Sequence, residues 1–128
     1  MTTPPHILSV GNDSTLMASR TLILRGAGYF VEEAYTVDKA INLVEADSID
    51  AMLICHTIPQ DDQKALISFV REKRRLMPVL CIRAFPYQSA PRTCTAVDHE
   101  PEALLHALKL AITPPMQIDG QGQRDSRV

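Results

Sequence analysis

Short apolar runs rich in β-branched residues alternate along this chain with longer stretches of helical period: HILSV at 6–10, AMLIC at 51–55 and PVLCI at 78–82, with the less regular YFVEEAY at 29–35 and TCTAV at 93–97. That alternation constrains the fold more than any other feature. A strand that returns parallel to its neighbour needs a long crossover, usually a helix, and repeated βαβ units build one parallel sheet with helices on both faces. AMLIC is continuously apolar, as a central strand covered on both sides must be; YFVEEAY alternates, with Glu33 interrupting, and reads as a half-covered edge.

The intervening stretches carry helix signals. Asn12 or Asp13 offers an N-cap to a helix with Leu16, Ile23, Leu24 and Ala27 on its apolar face, and Gly26 and Gly28 stop it, Gly28 with positive φ. Thr36 caps a second helix, in which Val37, Ala40, Ile41 and Val44 follow the i, i+3, i+4, i+7 spacing. Ala65, Leu66, Phe69 and Val70 mark a third, ended by Arg71, Lys73, Arg74 and Arg75, a basic turn that complements the helix dipole and reads as solvated. Pro101 suits the first position of a last helix, whose buried face is Leu104, Leu105, Leu108, Ala111 and Ile112. From Thr113 onward periodicity ends, so the expected organisation is one domain over 1–112 and a flexible C-terminal tail over 113–128.

Five strands with such helices predict a flavodoxin-like, doubly wound α/β sheet of order 2-1-3-4-5. Its site lies where the order reverses, at the carboxyl ends of strands 1 and 3, beside Gly11, Asn12, Asp13, Cys55 and His56. A net charge of −2 gives no pull toward nucleic acid or anionic lipid, and no apolar stretch approaches a membrane span, so neither partner is expected and the location is cytoplasmic. Cys55, Cys81 and Cys94 match no metal-ligand spacing, and their odd number argues against a disulfide framework; they read as reduced thiols, Cys81 and Cys94 in the core. GNDSTL after strand 1 has a single glycine, which does not make a phosphate-cradling loop, and no cofactor is expected. His56 invites a role as general base or phosphoacceptor, with Thr57 beside it as a nucleophile, yet no acid at fixed spacing orients it and a solvated loop histidine is the plainer reading.

At this point the chain resembles the receiver domain of bacterial two-component response regulators. The likeness covers residues 6 to 112 and rests on ILSVGND followed by LRGAGYFVEEA, then DAMLICHTIPQDD, MPVLCIRA and EPEALLHAL. Receivers accept a phosphoryl group from a kinase phosphohistidine on an aspartate at the end of strand 3, with an acidic pair holding Mg²⁺, a hydroxyl and a lysine binding the phosphoryl oxygens, and a switch aromatic. Carried over, the acceptor falls on Cys55, the acidic pair on Gly11 and Asn12 with Asp13 the only acid beside them, the hydroxyl on Arg83, the lysine on Val97 and the aromatic on Cys94. None of these positions keeps its family residue, so no catalytic residue and no metal site is expected. For Arg83 two readings stand: it pairs with Asp13 or Asp98 in place of a metal, or, the plainer one, it points into solvent.

A second departure lies between strands 4 and 5. Only Arg83 to Arg92 connect them, with Pro86 and Pro91 inside, so the helix there is expected to be shortened or missing. In receivers that helix belongs to a face that docks partners or a second copy. The function expected is therefore an atypical, non-enzymatic pseudo-receiver acting in signalling through phosphorylation-independent contact with a protein partner, with a homodimer through the strand 4 to last-helix face as one form. The alternative is a redox or ligand sensor using Cys55 in an exposed crevice, its pKa lowered by Arg83.

Overall fold

In the computed structural model, residues 4–46, 48–83 and 94–112 are described. Five strands, β1 (His6–Val10), β2 (Phe30–Ala34), β3 (Ala51–Ile54), β4 (Val79–Arg83) and β5 (Thr95–Asp98), form one sheet of order β2-β1-β3-β4-β5. Every pairing is parallel. Four helices are present among the described residues: α1 (Ser14–Gly26), α2 (Val37–Ala46), α3 (Gln60–Lys73) and α4 (Pro101–Ile112). The expected loss of the helix between β4 and β5, and the expected tail at 113–128, fall on residues outside the described ones.

The strand period divides the core in two. On β3, Met52 and Ile54 join Leu8, Val10, Val44, Leu66 and Val70 on the α2–α3 side, while Ala51 and Leu53 join Ile7, Leu24, Leu80, Leu104 and Leu108 on the α1–α4 side. Both faces of β3 are covered, which is why its sequence does not alternate.

Local signals act as the residue types require. Asp13 caps α1, its carboxylate accepting from the Thr15 and Leu16 amides at 3.0 and 3.1 Å. At the other end, the Tyr29 amide donates to the Leu24 carbonyl and the Gly28 amide to that of Arg25, a Schellman closure in which Gly28 takes φ 99°. Thr36 Oγ1 accepts from the Lys39 amide at 3.1 Å and opens α2. Glu33, the residue that interrupts the apolar alternation of β2, accepts hydrogen bonds from the Thr21 and Tyr35 hydroxyls.

Three expectations need correction. The buried face of α1 is Met17, Arg20, Thr21 and Leu24, rotated from the expected set, and Ala27 is exposed. The basic turn is not merely solvated: Arg71 donates to the Met77 carbonyl at 2.7 Å, closing the turn after α3, and Arg74 donates to that of Val44 at 3.0 Å, fastening the end of α3 to α2. The thiols are not all reduced either. Cys81 and Cys94 are joined as a disulfide, their Cα atoms 6.2 Å apart, and Cys55 is free. Parallel pairing of Leu80 with Thr95 sets Cys94 beside β4, a neighbourhood that spacing along the chain does not reveal. No helix of the described residues is long and apolar enough to cross a membrane.

Candidate functional site

The carboxyl ends of β1 and β3 lie side by side, joined by the Cys55 amide donating to the Val10 carbonyl at 2.8 Å. They bring Gly11, Asn12 and Cys55 together as the topology requires. The crevice expected around Cys55 is closed: the residue is 1% exposed, which removes the solvent access a sensor thiol needs. Gly11 is packed just as tightly. A Cβ at this position would lie 2.9 Å from Cys55 Cβ and 2.9 Å from Met17 Sδ, so the space where a side chain would project is already filled.

The polar groups nearby are committed to holding loops. Asn12 donates from its backbone amide to Thr57 Oγ1 and from Nδ2 to the Thr57 carbonyl, both at 3.3 Å, tying the loop after β1 to the loop after β3. Asp13 turns back onto the α1 amides. The Ile58 amide donates to the Cys55 carbonyl at 3.1 Å, and Gln63 Nε2, buried in α3, donates to the Ile58 carbonyl at 2.7 Å, fixing the turn that follows.

Arg83 and Asp98 end β4 and β5 in register and form an ion pair at 2.8 Å. Of the two carboxylates expected for Arg83, Asp98 is the one it meets. The side chains keep 25% and 40% of their exposure, so the pair ranks with surface ion pairs, worth up to about 1 kcal/mol. Val97 is buried in the α1–α4 core, and Cys94 is held to Cys81. The positions expected from the resemblance thus divide into a closed pair at 11 and 55, an exposed loop tie at 12, a capping residue at 13, an ion-paired arginine at 83 and two packed positions at 94 and 97.

On the α1–α4 side of the same sheet end stands a group that the sequence reading missed. Arg20 is buried, on the α1 face between Met17 and Leu24. Its sequence signal was a charge three residues after one buried position and four before another. His56 is half-buried rather than solvated, and its pKa is lowered by burial first, then by the positive charge of Arg20 and by His99, with Asp13 acting in the opposite sense.

No protein-family model matches the sequence, and no curated protein matches it. Solved structures do. A protein assigned as a response regulator from Chloroflexus aurantiacus J-10-fl is 26% identical with a TM-score of 0.77, over 86% of this chain and 98% of that one. A CheY-like response regulator receiver domain protein from Methanospirillum hungatei JF-1 is 19% identical with a TM-score of 0.74, over 94% of this chain and 100% of that one. The receiver domain of a sensor histidine kinase from Pseudomonas aeruginosa PAO1, solved with magnesium coordinated in its active-site cleft, is 20% identical with a TM-score of 0.74, over 86% and 98%.

Proposed function

This chain has the CheY-like receiver fold of response regulators, and from that premise we propose that it works in signal transduction as a pseudo-receiver, binding a protein partner without being phosphorylated. The observation that carries the reading is the packing of Gly11 against Cys55 and Met17, which leaves no room for a carboxylate at position 11. A magnesium ion takes oxygen ligands in near-octahedral geometry. Here position 11 has no side chain, Asn12 is bonded to Thr57, Asp13 caps α1 and position 55 offers a buried thiol, a poor partner for a hard cation. The residues present do not fit that ion.

The phosphoryl-binding end is replaced as well. Arg83 supplies a fixed cation where a phosphorylated receiver would gather charge around its new group, and Asp98 satisfies it internally. A domain wired in this way holds one conformation and offers it to a partner. The face built from β4, β5 and α4 is where we place that contact or self-association; Leu110 of α4 stands 65% exposed there. The burial of Cys55 speaks against the sensor alternative.

Incubating the full chain with acetyl phosphate and Mg²⁺, then weighing the intact protein, tests the reading. The mass should not change. A stable phosphoadduct would overturn it.

A further inference from the structure

A guanidinium taken out of water ordinarily lies in a web of acceptors, because an unpaired buried charge is among the most unfavourable features a fold can carry. Arg20 departs from this. It is 6% exposed, and its Nη1 has no hydrogen-bond acceptor among the described residues. The side chain lines a cleft of about 330 Å³ between α1, the loop after β3 and the loop from β5 into α4. His56 and His99 line it from the two loops, Ser19 from α1, and Leu16, Ile23 and Leu104 form an apolar wall.

Among the described residues no carboxylate lines the cleft. Asp13, which acts on His56 from nearby, already accepts two α1 amides through Oδ1, and Asp98, next to His99 in the chain, is engaged by Arg83. Three nitrogen-bearing groups that are cationic or can become so therefore converge with no anion of the cleft's own to answer them. We propose that this cleft binds a small oxyanion, the phosphate or carboxylate of a small molecule or free phosphate itself, through Arg20, His56 and His99.

The chemistry of the three groups fits one occupant. A guanidinium presents a planar fork of donors that matches an oxyanion, and protonated imidazoles add donors at its flanks. Burial strengthens the Arg20 contact, since little solvent competes with it. An oxyanion also gives Arg20 the acceptor that it lacks and favours the protonated form of His56. The apolar wall accommodates a hydrocarbon body attached to the anionic group, and free phosphate leaves that wall unused. His56 follows Cys55 directly in the chain, yet the buried Cys55 thiol is not among the groups that line the cleft, so binding here does not depend on whether position 55 can be phosphorylated.

The test follows the histidine ring resonances of the full chain by NMR while inorganic phosphate is added, against chloride at equal ionic strength. Phenyl phosphate and benzoate form parallel arms. The expected result is a saturable shift of His56 and His99 with phosphate and none with chloride. Phenyl phosphate or benzoate binding about tenfold tighter than phosphate identifies an organic anion as the occupant, and equal or weaker binding identifies free phosphate.

Arg20→Met keeps the volume while removing a buried charge, a change that folds tolerate, and it should abolish the saturable shift. His99→Gln, at an exposed position, should weaken binding several-fold and serves as the second variant if the first fails to fold. Shifts that follow ionic strength alone, or saturable binding of unchanged affinity in a folded variant, would overturn the proposal. Inorganic phosphate has no activated phosphoryl group to transfer, so neither outcome bears on the pseudo-receiver reading.

Discussion

Gly11 decides what position 55 can do. A Cβ added at position 11 would meet Cys55 Cβ at 2.9 Å, and that atom is fixed by the backbone of the chain leaving β3, so it cannot swing aside as the end of the Met17 side chain can. Gly11→Ala should therefore destabilise the fold by about 1–3 kcal/mol, the range for overpacking a filled core, read as a lower urea midpoint with unchanged slope. Cys55→Asp tests the chemistry directly. It buries a carboxylate at a position that is only 1% exposed, so the variant should be markedly less stable and should still gain no mass with acetyl phosphate. Restoring one residue of the set does not restore the site, because the oxygen ligands and the lysine position are missing together. Such substitutions were legible in the sequence; the closure of the crevice was not, since it depends on Met17 filling the space from a face of α1 that the apolar periodicity assigned differently.

At the scale of elements, β4 and β5 are held together at both ends of their pairing, by Cys81–Cys94 ahead of β5 and by Arg83–Asp98 at the carboxyl end. A bridge across a 13-residue separation closes a short loop and removes disorder from the unfolded chain, a contribution of about 2–3 kcal/mol. Protein purified without reductant and unfolded in an alkylating reagent should take up one label, on Cys55, and three after reduction; three labels without reductant would show the pair to be open. Reduction should also lower the thermal midpoint, and Cys94→Ser should make the protein indifferent to reductant. The five strands, their order and the α1, α2 and α4 signals were readable because period, caps and the Gly28 stop are local. The disulfide and the Arg74 clamp were not, because each joins residues that only the sheet and the α2–α3 packing bring together.

Across the whole molecule two neighbouring places at the carboxyl end of β3 differ in use: the pair at Gly11 and Cys55 is closed, whereas the cleft of Arg20, His56 and His99 has no carboxylate among the described residues that line it. The half-buried place of His56 in that cleft, next to Arg20, makes stability depend on pH. Its ordinary pKa is 6.5 and the fold lowers it, with burial the largest cause, so below 6.5 the unfolded chain binds a proton that the native state resists. The stability associated with neutral His56 is fully present above 6.5, declines as pH falls from there toward the folded value, and changes no further below it. Urea midpoints at about pH 7.5 and about pH 5.5 should therefore fall further for the natural chain than for His56→Gln, which has no proton to gain at that position. Parallel declines in the two proteins would show that His56 does not control the acid side. An oxyanion in the cleft would reverse part of the effect: by stabilising the protonated ring it raises the folded pKa, so added phosphate should narrow the gap between the natural chain and His56→Gln at the lower pH and leave it nearly unchanged at the higher one.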